Sequence, residues 1–470
     1  MKSVFITILF IVFFINSHAQ NVFISGSGTD IDGKKIDIYA IADRFSGYKQ
    51  KLASVDLVKG DTNFSTSFVI DETKELLIQT DLMYYGFIAQ PGMKYHLKIN
   101  KFEFTSRDSV KAFMYGMALP VELQSEKYDA INIPVTDIDS ILGSYVYQNR
   151  RMLSVKDSLS VASLLSLKDS LLTKYKGNEY IENYITYEFE SVLYTFYLKS
   201  RKAIKQNLFA HSPILYDNIG YADCFQTVFE KYFSLGYKYI SRKDMETWLI
   251  NGNYSAFNDA LGRDEILKNE VFRELVFLQG MKDAYLDGYF DKKMIINILN
   301  KFKNSTKFEK HVLIADNMIN YFLNINATNT NVGSYKVKDI NEQIIELKSL
   351  FNDKPTLVAF VRLDDIACLK ELESMHFCYD SVKENLNLLT ICVDNSFEKM
   401  YNFINNNKVG NKYRWPFVYF NNNYEMTSDF HLRMFPSFIL LDKEGKIKEN
   451  PFESPQTGSL MRFAQSDIKK

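Results

Sequence analysis

The chain has 470 residues, 46% of them hydrophobic and 24% charged, which is enough apolar content for several cores and too much for a disordered chain. Its 56 Lys and Arg nearly balance 57 Asp and Glu, and without a concentrated positive face a nucleic-acid partner has no electrostatic basis. The 30 Tyr and 37 Phe accompany abundant Asn, Ile and Lys, so they read as core residues under a compositional bias rather than as a stacking platform.

Residues 1–20 read as a signal peptide. Lys2 supplies the charge, Val4 to Ile15 the apolar stretch, and Ser17 and Ala19 flank His18 at a cleavage site after Ala19. The apolar run is shorter than the roughly 18 to 20 residues that span a bilayer. No cysteine follows the cleavage site to carry a lipid, and no later run is long enough to cross a membrane. The expectation is export to the periplasm, the envelope or the outside of the cell, with no transmembrane segment in the mature chain.

Residues 21–104 form short alternating runs such as "KKIDIYAIA" and "FSTSFVI" between Gly, Asp, Asn and Pro signals, and predict an all-β sandwich. Asp30 and Asp32 before Gly33 suggest calcium superficially, but the rest of a twelve-residue loop is missing and a hairpin turn is the better reading. Over 105–325 the apolar spacing turns helical, in segments such as "EYIENYITYEFESVLYTFYLKSRKAIKQ" and "FEKHVLIADNMINYFLNI". This α-helical region divides near "LFAHSPILYDNIG" into two expected subregions. Its His211 and His311 have no ligand partners at useful spacing, so structural roles are expected and no metal is assigned.

Residues 326–334, "NATNTNVGS", read as a linker. From 335 to 470 strands and helices alternate and the pattern closes on a hairpin and a last helix, which predicts an α/β sheet covered on both faces. The four cysteines, Cys224, Cys368, Cys378 and Cys392, include no CxxC pair. On one helix Cys368 and Cys378 would stand ~15 Å apart, too far to bridge, so buried free thiols are the simplest reading.

With the strand "TLVAFV", Cys368 and Glu371 soon after it, and Pro436 within "FHLRMFPSFILLDKEGKI", the C-terminal stretch resembles the exported thioredoxin-like thiol–disulfide oxidoreductases of the TlpA/ResA type. "TLVAFV" matches the first core strand, Cys368 and Glu371 the second active-site cysteine and the glutamate three residues later, and "FHLRMFPSFILLDKEGKI" the stretch around the cis-proline, here Phe435–Pro436. The resemblance therefore implies a thioredoxin-like fold behind an N-terminal sandwich and a helical region. It implies a redox tetrad at Asp365–Ile366–Ala367–Cys368 in which the attacking cysteine is replaced by Asp365.

A carboxylate cannot attack a disulfide, and beside Cys368 it disfavours a thiolate. Asp364 and Asp365 also suit a helix N-terminus, where capping is the simpler role. The reading favoured by these residues is a binding or scaffold module of the cell envelope that has lost dithiol chemistry, with an unidentified protein or peptide partner and no cofactor. The alternative is a divergent thiol–disulfide oxidoreductase, or a peroxidase, using the single Cys368. A peroxidase would have Thr where Asp365 stands.

Overall fold

The structure is a computed structural model that describes residues 20–101, 117–155, 158–196, 205–209, 212–233, 240–286, 290–325, 332–394, 396–406, 412–430, 432 and 434–467. Residues 1–19 of the expected signal peptide, His211, and residues 326–331 of the expected linker lie outside these residues.

The N-terminal strands are β1 (Gln20–Ser27), β2 (Lys35–Ile41), β3 (Lys49–Asp56), β4 (Asn63–Ile70), β5 (Lys74–Thr80), β6 (Met83–Ala89), β7 (Lys94–Ile99), β8 (Met117–Ala118) and β9 (Val121–Ser125). They form two sheets, ordered β4-β1-β7-β9 and β3-β2-β5-β6-β8. Alternation decides the inner faces: Ile36, Ile38 and Ala40 of β2 and Val22 and Ile24 of β1 share one buried cluster. Two findings differ from the sequence reading. Strands continue past residue 104, because the short alternating run Val121–Ser125 pairs with β7. The turn holding Asp30 and Asp32 is no hairpin, since β1 pairs with β4 and β7 while β2 pairs with β3 and β5.

The helices that follow are α1 (Asn132–Ser154), α2 (Ser158–Lys174), α3 (Glu179–Phe196), α4 (Ile219–Phe229), α5 (Arg242–Asn251), α6 (Tyr254–Leu261), α7 (Glu270–Leu286), α8 (Lys292–Lys303) and α9 (Glu309–Ile325). They share one hydrophobic core running from Ile138 to Phe322 rather than two. His311 is structural, as expected: fully buried, its Nδ1 lies 2.8 Å from Glu274 and its Nε2 2.9 Å from the Tyr216 hydroxyl. Glu274 also accepts from Tyr254 and Thr306, so this one carboxylate ties α6, α7 and α9 together.

Sandwich and helices are joined by the loop after β2. Phe45 is 1% exposed and belongs to the helical core, its ring 5.5 Å from Phe225 and 6.0 Å from Tyr216. The Lys282 ammonium donates to the Phe45 carbonyl at 2.9 Å, and Asn317 donates to Asp43 at 2.8 Å. Farther along, the Asn132 amide exchanges two hydrogen bonds with the Ile88 backbone, fixing the start of α1 to β6.

Beside this joint Arg44 pairs with Glu75 and Asp223. Burial pushes Glu188 on α3 up to about 7, with Asp223 and Asp139 adding to the rise and Arg44 opposing it. Its folded pKa thus lies above the ordinary 4.5, so its contribution to stability is full below that value and is lost as pH rises through 7. Glu188→Gln should therefore stabilise the chain at about pH 8 by on the order of 2 kcal/mol and leave it unchanged near pH 4. Chemical denaturation of both proteins at the two pH values checks the difference.

The C-terminal region comprises β10 (Lys336–Lys338), β11 (Ile344–Glu346), β12 (Thr356–Val361), α10 (Ile366–Val382), β13 (Asn387–Cys392), α11 (Phe397–Asn405), β14 (Phe417–Tyr419), α12 (Tyr424–Asp429), β15 (Ser437–Leu441), β16 (Ile447–Glu449) and α13 (Ser459–Asp467). Its sheet runs β11-β10-β14-β13-β12-β15-β16. β12 is parallel to β13, antiparallel to β15, and buried at every residue, which is why "TLVAFV" shows no alternation. In "QIIELKSL" only Ile344–Glu346 is strand; Leu347–Leu350 turns into a 3₁₀ helix that buries Leu347.

Candidate functional site

At the end of the buried strand β12 the chain turns through Arg362, Leu363, Asp364 and Asp365 into α10. Asp365 is the N-cap: its φ of −106° and ψ of 123° are extended, and its side chain accepts from the N–H of Ala367 at 2.6 Å and of Cys368 at 3.4 Å. This satisfies orphan donors of the first turn and places a negative charge at the positive end of the helix dipole.

Cys368, three residues into the turn, points inward and is 0% exposed. Its sulfur accepts the Arg362 N–H at 3.4 Å. Burial pushes the thiol up to about 12; the Arg362 N–H works against this, and Asp365 and Asp394 add to the rise. Cys392, at the end of the neighbouring strand β13, is also fully buried and held well above the ordinary thiol value by burial. All four cysteines are buried free thiols.

The polar groups of the turn are committed to one another. The Arg362 guanidinium forms a fork on Asp364, with Nε 3.1 Å from one oxygen and Nη2 3.0 Å from the other, and Lys399 reaches the same carboxylate at 2.9 Å. Burial works against the Asp364 charge, but the hydrogen bonds from Arg362 and Lys399 outweigh it and hold the pKa below the ordinary value. Asp394, after β13, is 1% exposed and both its oxygens accept the Leu363 N–H, at 3.2 and 3.1 Å. Burial pushes Asp394 up to about 6; the Leu363 hydrogen bond lowers it and Asp364 raises it.

Glu371 lies one turn beyond Cys368 and is buried, accepting from the Ser454 hydroxyl and from the Gln456 N–H at 3.1 Å. It therefore anchors the short 3₁₀ turn Pro455–Thr457 to α10. The Phe435–Pro436 bond is cis. Pro436 and Glu371 line one cleft of about 450 Å³, whose far wall includes Tyr285 and Lys292 from the helical region. Asp365 and Cys368 are not among the residues lining it. The structure thus brings Glu371 together with the proline segment, and sets Asp365 with Cys368 in the separate network of Arg362, Asp364, Asp394 and Lys399.

A family model described as thioredoxin-like matches residues 352–447, from just before β12 to the start of β16. Residues 352–447 are thioredoxin-like. No curated relative matches the chain. Among solved structures, the chain is similar to an uncharacterized thioredoxin-like protein from Porphyromonas gingivalis at 19% identity, over 30% of this chain and 92% of that one, with a TM-score of 0.26. It is similar to the thioredoxin domain of a thiol–disulfide oxidoreductase from Bacteroides vulgatus at 20% identity, over 29% and 97% of the two chains, with a TM-score of 0.25. For StoA from Bacillus subtilis the identity is 20%, the coverage 27% and 92%, and the TM-score 0.22.

Within the thioredoxin-like domain, sequence reasoning missed Arg362, Asp394 and Lys399. Arg362 directly follows a buried strand in "VAFVRLDD", and Asp394 ends another in "LLTICVD", a charged residue at each of two adjacent parallel strand ends. That coincidence was the available signal. Among the described residues no group of three or more His, Cys, Asp or Glu side chains is placed to hold a metal ion. No helix among them is long and apolar enough to cross a membrane.

Proposed function

We propose that the thioredoxin-like domain is a binding module of an exported, envelope-associated protein, and that it engages an extended polypeptide without thiol–disulfide exchange. The observation that carries this reading is the state of Cys368. The position of the attacking cysteine holds Asp365, whose carboxylate is spent on the helix cap, while the remaining thiol is buried and raised to about 12. At neutral pH such a thiol has roughly one part in 10⁵ as thiolate, the only form that attacks a disulfide.

The binding half of the proposal is supported by the cleft beside Pro436. Its walls are mostly apolar, with Lys292, Ser437 and Asn450 among the polar residues that line it, a composition suited to a peptide chain.

Insulin-disulfide reduction tests the chemistry. The chain should show no rate above that of the small-molecule reductant alone, and Cys368→Ser should behave identically. A rate that disappears with Cys368→Ser would overturn the proposal in favour of a divergent oxidoreductase.

A further inference from the structure

The sheet β4-β1-β7-β9 ends on β9, which pairs with β7 and with no other strand among the described residues. The hydrogen bonds at the two ends of this pairing fix its parity: the Pro120 carbonyl accepts from the Asn100 N–H, and the Glu126 N–H donates to the Lys94 carbonyl. In an antiparallel ladder the N–H and C=O of one residue point the same way, and the direction alternates along the strand. Glu122 and Gln124 therefore also face β7, whereas the N–H and C=O groups of Val121, Leu123 and Ser125 point away from it. An edge left open in this way is a template for a further strand.

The open edge borders a groove of about 880 Å³, lined along one side by Val121 to Ser125 and along the other by Asn132, Ile133, Thr136, Asp137 and Ser140, which share one face of α1. Every residue lining it is among the described residues. Two apolar side chains stand exposed in it, Ile133 at 51% and Tyr128 at 72%.

This geometry selects the occupant. Along the ~17 Å of β9 the outward donors and acceptors recur every ~6.8 Å, a repeat that the backbone of an extended polypeptide matches and a helix does not. Because α1 closes the far side, the entering strand must be a single one. A second copy cannot offer its own β9, since that strand carries β7 on its other edge and β7 would have to stand where α1 stands. Val121 and Leu123 pack against the sandwich core while Glu122 and Gln124 are exposed, so the incoming chain meets an apolar face and a polar face in alternation. Glu122, Glu126, Asp129 and Asp137 line the groove against one cation, Lys127, which favours basic residues at the polar positions. Glu122 and Glu126 also pair with Lys98 and Lys94, in exposed bridges that contribute little.

We propose that the β9 edge takes up an extended segment of another protein as an added strand, apolar at alternate positions and basic between them. The site lies in the sandwich and is independent of what the thioredoxin-like domain binds.

Residue-resolved amide hydrogen exchange on the chain from Gln20 onward tests this, with acetyl-Val-Lys-Val-Lys-Val-Lys-amide as the probe. In the free chain the amides of Leu123 and Ser125 should exchange fast, while those of Glu122, Gln124 and Glu126, held by β7, should be slow. Saturating peptide should slow Leu123 and Ser125 by at least about tenfold and leave the other three unmoved. The fully N-methylated peptide, which has no backbone donors, should have no effect, and the Val-Glu analogue should bind at least about fivefold more weakly. Leu123→Pro removes an N–H that β7 does not use, and should abolish binding with the fold retained. Ile133→Asn, at an exposed position of the helix wall, should weaken binding by at least about threefold.

Slow exchange of Leu123 and Ser125 in the free chain would overturn the proposal, because the edge would already be paired. So would the absence of slowing at millimolar peptide, or equal slowing by the N-methylated peptide. Exchange in the parent carries the test even where Leu123→Pro does not fold.

Discussion

Asp365→Cys should raise the rate at which this protein attacks a small aromatic disulfide at neutral pH by about two to three orders of magnitude. The introduced thiol would stand at the N-terminus of α10, where a helix dipole brings cysteines to a pKa near 7 and about half would be ionised. Cys368, at about 12, contributes roughly 10⁻⁵ of its population as thiolate. Thiols of lower pKa are weaker nucleophiles, and that dependence returns nearly half of the logarithmic gain. The substitution also removes the cap on Ala367 and Cys368, so about 1 kcal/mol of stability should be lost with the gain in reactivity. Stopped-flow release of the aromatic thiol reads the first effect and denaturant unfolding the second. An unchanged attack rate in a folded variant would mean that the turn does not present position 365 as a redox turn would.

The second large effect is expected far from that turn. Phe45→Ala should destabilise the chain by about 3–5 kcal/mol, the range for deleting a buried phenylalanine ring. Phe45 is contributed by a sandwich loop yet packs in the aromatic core of the helices, against Tyr216, Tyr221 and Phe225. The loop cannot easily follow the lost ring inward, because Lys282 and Asn317 hold its backbone and Asp43 from the helical side. The cavity should therefore persist, and the sandwich and helical region should lose their shared transition in denaturant unfolding. A loss below about 1 kcal/mol would show that the loop merely rests on the helices.

Much of the architecture was legible because periodicity reports burial directly. Ile36, Ile38 and Ala40 alternate on a half-buried strand, and "TLVAFV" does not alternate because both faces of β12 are covered. The end of the sandwich was harder to read: β9 is five residues long, and its alternation is visible only beside β7, to which it pairs at a distance of more than twenty residues. Phe45 was illegible for a similar reason, since a lone aromatic in a loop carries no period.

At the candidate site, the capping role of Asp365 could be read from its place before a helical run, whereas its standing at the position of an attacking cysteine is only what the resemblance implies. The commitment of Asp364 to Arg362 and Lys399 could not be read, because Lys399 is brought in by a different helix. Glu371 shows the same limit. The resemblance associates it with the turn at Cys368, but its oxygens go to Ser454 and Gln456, partners more than eighty residues away.

Cys368 is a shielded thiol in a turn whose polar groups are spent on structure, and alkylation of Cys368 in the native chain reads that shielding. Followed by peptide mapping from about pH 6 to pH 9, modification should be slow throughout, far slower than in the denatured chain, and should keep rising with pH without reaching a plateau. Rapid modification that levels off with an apparent pKa at or below the free-cysteine value of about 8.5 would contradict the account and restore Cys368 as a reactive centre.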